Sequence, residues 1–129
     1  MKSYRQRKTP LAATALILSL AGSGQVTGHH SLNAFDLDRE RVAKGTVLAF
    51  EWRAPHTVTR LETDASGAIL SLEGMSPDYL GRRGWNRLTL RPGDSVEVAY
   101  FPSKTDAAEG LFLRVTLADG TVRVMVDHP

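Results

Sequence analysis

The sequence predicts a small all-β protein, a Greek-key barrel of five to six strands with one short helix, similar to the oligonucleotide/oligosaccharide-binding (OB) fold. Short segments of alternating apolar and polar residues recur along the chain and are separated by turn residues. The first of them is long and is interrupted by Gly45, which predicts a bulge or bend there. A long bent strand can serve two halves of a closed sheet. A small β-sandwich is the alternative.

The first half of the barrel is predicted as three strands. The first covers residues 41–53, which are rich in β-forming side chains and end before Ala54-Pro55, where proline cannot donate to a ladder. Residues 56–63 and 68–75 are the second and third strands, and the glycine-containing loop between them predicts a hairpin.

The second half begins with a helix and continues with three strands. Ser76-Pro77-Asp78 predicts a helix start, with serine as N-cap and proline in the first turn, and the helix should end by Gly81 or Gly84. Alternation of apolar and polar residues predicts strands over residues 95–101, 111–117 and 122–126, the last two joined by a two-residue turn at Asp119-Gly120.

Residues 1–28 have the layout of a secretory signal peptide. A basic start precedes the apolar run 11–21 and the small and polar residues GSGQVTG. The run is shorter than the roughly 20 residues that span a bilayer. We therefore expect cleavage before His29, a single barrel domain over residues 29–129 without a membrane anchor, and a location in the periplasm or outside the cell. Cleavage after Ser23 is the alternative.

Composition excludes several classes of function. Four of the 16 basic residues lie in the leader, so the mature domain has 12 basic against 14 acidic side chains, and this balance argues against a nucleic-acid partner. The absence of cysteine excludes disulfides, thiolate metal sites and covalently attached haem. No nucleotide-binding or metalloprotease motif is present, and neither is the GxSxG motif of hydrolases.

The histidines are the candidate metal ligands. If the mature chain begins at His29, its α-amine and imidazole can hold one ion, His30 adds a second imidazole, and His56 follows Pro55 at the end of the first strand. Nitrogen ligands without thiolate favour Cu(II), with Zn(II) second. Glu73 is a further candidate ligand. The alternatives are a terminus that binds nothing, a structural histidine corner and a solvent-facing glutamate.

Two other interpretations stay open. Trp52 and Trp85 could form a stacking platform for a small organic ligand or an envelope protein, or they could simply cover the core. His56 could act as a general base of a hydrolase, with Glu73 or Asp36, although no catalytic motif supports an enzyme.

The mature chain also resembles a family of small exported bacterial proteins of unknown function, whose mature chains begin at or near His-His-Ser and contain an Asn-Pro-His corner. Ala54 here replaces the asparagine of that corner. The resemblance implies that His29, His30, His56 and Glu73 are the matching polar set. The matching residues are His29-His30-Ser31, Phe35-Asp36, Gly45-Thr46-Val47, Trp52, Pro55-His56, Glu73, Ser76-Pro77, Leu80, Gly84-Trp85, Leu90, Pro92-Gly93-Asp94 and Asp119-Gly120.

Overall fold

The computed structural model describes residues 32–127. Its elements are, in chain order, a 3-10 helix (Leu32–Ala34), β1 (Arg41–Glu51), β2 (Val58–Thr63), β3 (Ile69–Glu73), α1 (Pro77–Gly81), β4 (Ser95–Pro102), β5 (Glu109–Thr116) and β6 (Val122–Val124). Within this part of the chain, no helix is long and apolar enough to cross a membrane.

The six strands form one sheet that closes into a barrel. Their order is β3-β2-β1-β4-β5-β6, and a parallel pairing between β3 and β5 closes the first five strands on themselves. β6 pairs only with β5 and extends the sheet beyond the barrel. The helix α1 lies between β3 and β4 in the chain. The prediction of a small OB-like Greek-key barrel with one short helix is therefore confirmed.

β1 belongs to both halves of the barrel, as its length predicted. Its first six residues pair with β4, and residues 45–51 pair with β2, so that Gly45 pairs with Val96 on one side and with Thr63 on the other. Of the predicted alternatives at Gly45, a bulge or a bend, the bulge is not found there, because the register shift in the β1–β2 ladder lies between Val47 and Ala49. Gly45 instead permits a close approach to β2.

The predicted strand ends need correction around the β1–β2 loop, residues 52–57. Glu51 and Val58 form the last pair of the β1–β2 ladder, so β1 ends two residues earlier and β2 begins two residues later than predicted. The loop contains a cis peptide bond between Ala54 and Pro55. β-propensity does not show where two strands cease to pair. Both strands were therefore predicted to continue two residues too far into the loop.

Local turn and cap chemistry follows the sequence closely. Ser76 is the N-cap of α1, and its hydroxyl accepts a hydrogen bond from the Tyr79 N–H at 3.3 Å. Gly67 has a φ of +69° in the loop between β2 and β3, a conformation that glycine adopts without strain. Both predictions are confirmed.

Apolar side chains pack on both faces of β4 and β5. Val98 and Phe112 are fully buried in the main core cluster. Leu111 and Leu113 alternate with Phe112 along β5, and they belong to a second cluster on the opposite face. Phe35, which is 4% exposed, is part of this second cluster and forms a β-bridge with Ser103. The segment before β1, residues 32–40, is therefore packed against the barrel. We call it the lead-in segment.

Replacing Gly45 should destabilise the barrel. A Cβ at this position would lie 2.2 Å from the Glu62 carbonyl oxygen and 2.9 Å from Leu61 Cγ, so the two strands would have to separate. We expect Gly45→Ala to lower the free energy of unfolding by about 2–3 kcal/mol. Gly81→Ala is the control, because a Cβ there meets nothing within 4 Å, and it should be neutral or stabilise by up to about 1 kcal/mol. Urea unfolding measures both, and equal effects would contradict the close-approach argument.

Removal of the hydroxyl should have opposite effects on stability at two buried threonines, Thr57 in the β1–β2 loop and Thr59 in β2. The Thr57 hydroxyl donates to the Met75 carbonyl oxygen at 3.0 Å, whereas Thr59 Oγ1 is buried without a partner in residues 32–127. We expect Thr57→Val to destabilise by about 1–2 kcal/mol. Thr59→Val should stabilise by about 1 kcal/mol, because it removes an unpaired buried hydroxyl. Chemical denaturation of the two variants tests the sign, and destabilisation by Thr59→Val would contradict the argument.

Candidate ligand-binding cleft

The β1–β2 loop and the end of β3 bring His56 and Glu73 together. His56 Nε2 lies 3.6 Å from Glu73 Oε1. The backbone beside the two residues is fixed by reciprocal hydrogen bonds: Thr57 N–H donates to the Met75 carbonyl oxygen at 3.1 Å, and Gly74 N–H donates to the Thr57 carbonyl oxygen at 2.8 Å. The loop is thereby held against the chain that follows β3, and this contact sets the distance between imidazole and carboxylate.

The imidazole and the carboxylate are only loosely paired. Their separation of 3.6 Å is longer than a hydrogen bond. The His56 side chain is 38% exposed and the Glu73 side chain 19% exposed, so solvent or a ligand can reach both. His56 Nδ1, in contrast, is buried and has no hydrogen-bond partner within residues 32–127. Because Nδ1 is buried, Nε2, which faces Glu73, is the candidate ligand atom of the ring.

His56 and Glu73 line a cleft of about 390 Å³, which we call the His56 cleft. Its walls come from the β1–β2 loop, from β3, from the start of β5 and from the lead-in segment. The lining residues are Phe35, Arg53, Ala54, Pro55, His56, Val58, Ser71, Glu73, Glu109 and Gly110. OB folds bind their ligands on the face of strands 2 and 3 and between the loops that follow strands 1 and 4. The His56 cleft occupies the corresponding part of this barrel.

The charges in the cleft favour a cation. Glu73 and Glu109 both line it, against one arginine, Arg53. The Arg53 guanidinium lies 2.6 Å from Glu51 Oε2, and Arg60 binds the other carboxylate oxygen of Glu51 at 3.1 Å. Because Arg53 is already paired, the two glutamates leave the cleft with an excess of negative charge.

Two of the four predicted metal ligands, His29 and His30, lie outside the described residues. The lead-in segment nevertheless reaches the cleft, because Phe35 is one of its lining residues. Five residues, 30–34, separate His29 from Phe35, and three of them form the 3-10 helix, so His29 can lie at most about 16–17 Å from Phe35. Within residues 32–127, no three histidine or carboxylate side chains are placed to hold a metal ion.

The two tryptophans occupy different environments. Trp85 is 3% exposed, its indole N–H donates to the Val124 carbonyl oxygen at 3.0 Å, and its ring packs edge-on against Phe112. Trp52 is partly buried and packs edge-on against Phe50 at a centroid distance of 5.7 Å. Trp85 therefore covers the core, and its ring is not available to stack on a ligand in this structure. Neither tryptophan lines the His56 cleft.

Several lining residues were missed by the sequence reasoning. Glu109 and Ser71 are 38 positions apart in the chain, and they become neighbours through the parallel pairing of β3 with β5. Parallel pairing leaves no local pattern in the sequence, because the two strands are joined by a long connection. The sequence could have indicated that Phe35 is buried, because it is an apolar residue in a polar segment. Nothing in the sequence assigned it to the cleft.

The fold and the cleft define a small OB-like barrel with a ligand-sized cleft between its loops. The chain belongs to a family of unknown function, DUF6152, which it matches over residues 16–114. The resemblance to an uncharacterised family is thus confirmed. No match was found among curated proteins or among solved structures.

The tryptophan environments predict different costs of substitution. Trp85→Phe leaves the Val124 carbonyl oxygen without its donor and leaves a gap in the core, so it should destabilise by about 2–3 kcal/mol. Trp52→Phe should cost less than about 1 kcal/mol, since this ring is only partly buried. Thermal and urea unfolding of the two variants measure this difference. A larger loss in Trp52→Phe would contradict the assignment of Trp85 to the core.

Proposed function

We propose that the protein is an exported binding module whose His56 cleft takes up a transition-metal ion, with copper as the preferred metal and zinc second. His56 and Glu73 would supply two ligands, and His29 and His30 the others. The observation that carries the proposal is the 3.6 Å separation between His56 Nε2 and Glu73 Oε1 at the wall of a cleft.

This separation suits two ligands of one ion. Imidazole nitrogen and carboxylate oxygen bind zinc at about 2.0–2.2 Å, so two such ligands lie about 3.4 Å apart at a tetrahedral angle and about 3.0 Å apart at a right angle. The observed distance is close to the tetrahedral value as it stands. The right-angle arrangement that Cu(II) prefers requires an approach of about 0.6 Å, which a partly exposed imidazole can supply by side-chain rotation.

The surroundings of the pair also favour a cation. The excess of negative charge contributed by Glu73 and Glu109 attracts a divalent ion, and the pairing of Arg53 with Glu51 reduces the opposing charge. Two protein ligands alone hold a metal weakly, so the affinity depends on further donors. Cleavage of the leader before His29 would provide an α-amine and two imidazoles on a chain anchored at the cleft by Phe35.

A small organic ligand in the same cleft is the second candidate. Phe35, Pro55 and Val58 give the cleft apolar walls beside its charged groups, and this mixture is typical of sites for small organic molecules. In this alternative His56 and Glu73 would orient the ligand through hydrogen bonds.

Metal titration of the exported protein tests the proposal. The protein is produced with its leader, its mature N-terminus is sequenced, and bound metal is removed with a chelator. Isothermal titration with Cu(II) is then compared with titration of a free peptide of the sequence HHSLNAF. We expect the protein to bind at least about tenfold more tightly than the peptide, because the barrel adds two ligands in fixed positions.

The variants identify the ligands. His56→Ala and Glu73→Gln should each reduce the affinity for Cu(II) about tenfold or more. The control is Glu62→Gln, which removes an exposed carboxylate of β2 and should bind like the wild type. An affinity equal to that of the peptide, or unchanged binding in His56→Ala, would overturn the metal proposal. The second candidate, a small organic ligand, would be supported if an organic molecule binds, if a chelator does not affect this binding, and if His56→Ala weakens it.

A further inference from the structure

A second cleft, of about 440 Å³, shares no lining residue with the His56 cleft. It lies between the lead-in segment, the start of β1 and the loop that joins β4 to β5. Each of these segments contributes one cationic side chain to the wall of the cleft: Arg39, Arg41 and Lys104. The hydroxyl-bearing residues Ser103 and Thr105 are also at its wall. We call it the basic cleft.

Glu40, the acidic neighbour of two of these cations, is paired elsewhere. Arg39 and Arg41 both line the cleft, whereas Glu40, which lies between them in the chain, does not. The Glu40 carboxylate forms an ion pair and hydrogen bond with Arg114 of β5. Within residues 32–127, none of the three cations of the basic cleft forms an ion pair.

Backbone hydrogen bonds hold the walls of the basic cleft together. Asp36 N–H donates to the Pro102 carbonyl oxygen at 2.9 Å, and Lys104 N–H donates to the Ala34 carbonyl oxygen at 2.9 Å. Two carboxylates also line the cleft. Asp106 accepts a hydrogen bond from the Ala108 N–H at 2.8 Å, and so one of its oxygens caps its own loop. Asp36 remains as the opposing charge, and the three cations outweigh both carboxylates.

We propose that the basic cleft binds a phosphate group. Cations on three separate segments can surround a tetrahedral anion with several acceptor oxygens, whereas a planar carboxylate presents only two. The guanidinium groups of Arg39 and Arg41 can each donate two parallel hydrogen bonds to phosphate oxygens. The phosphate can be free in solution or part of an anionic lipid headgroup, and the chemistry of recognition is the same.

Phosphate binding is measured on the exported, chelator-treated protein, so that the result does not depend on the metal proposal. One arm is isothermal titration with inorganic phosphate, and the other is co-sedimentation with vesicles of phosphatidylglycerol against vesicles of phosphatidylcholine. We expect saturable binding in at least one arm, weakened by high salt because the groups are exposed. Binding to phosphate alone assigns a free anion, and preferential binding to phosphatidylglycerol vesicles assigns a headgroup.

Two triple variants, each of which removes three positive charges, distinguish binding at the basic cleft from an effect of the protein's net charge. In the first, Arg39, Arg41 and Lys104 are all changed to glutamine, and we expect binding to fall on the order of tenfold or more, since each exposed pair contributes up to about fivefold. In the control, Arg82, Arg87 and Arg91 near α1 are changed to glutamine, and binding should stay within about twofold. Circular dichroism and thermal unfolding confirm that both variants fold. No binding in either arm, or an equal loss in the control, would overturn the proposal.

Discussion

The structure depends on the double pairing of β1 around Gly45. This residue and its neighbour Thr46 pair on one side with β2 and on the other with β4, so the two halves of the barrel meet within two residues of one strand. A side chain at Gly45 would contact the Glu62 carbonyl oxygen at 2.2 Å, and the halves could not approach as they do. After the register shift between Val47 and Ala49, the last residues of β1 pair with β2. Closure of the barrel through β3 and β5 follows from this division of β1.

The same closure creates the His56 cleft. β1 ends at Glu51 after it has left β4, and the loop that follows is hydrogen-bonded to the residues after β3 through Thr57. The parallel pairing of β3 and β5 then adds Glu109 to the wall beside Glu73. The cleft is thus assembled from segments that are distant in sequence, and backbone hydrogen bonds, rather than the side chains of His56 and Glu73, position the β1–β2 loop, β3 and β5. Substitution of His56 or Glu73 should therefore leave the frame of the cleft in place.

The sequence predicted those features that local chemistry decides. The alternation of apolar residues gave the strands, Ser76 and Pro77 gave the start of α1, and the length of β1 indicated that it serves two halves of the sheet. Prediction from the sequence failed for features that depend on the pairing of distant strands. The end of β1 at Glu51 depends on its last partner in β2. The register shift lies between Val47 and Ala49, whereas Gly45 is a point of close contact with β2. The nearness of His56 to Glu73 could be proposed from the resemblance, but Glu109 could be found only from the β3–β5 pairing.

The lead-in segment connects the fold to both clefts. Phe35 and Asp36 are consecutive residues of an irregular segment, yet the first lines the negatively charged His56 cleft and the second lines the basic cleft. Phe35 is buried against the face of β5 that carries Leu111, and its bridge to Ser103 fixes the direction of the chain. His29, a proposed metal ligand, is six positions before this anchored residue in the chain. A ligand on so short a tether would act at an effective concentration of about millimolar, and this would increase its affinity for a shared ion without any additional contact. In the metal proposal, the burial of Phe35 would hold the histidines of a mature N-terminus near the barrel, although Phe35 itself has no group that could bind a metal.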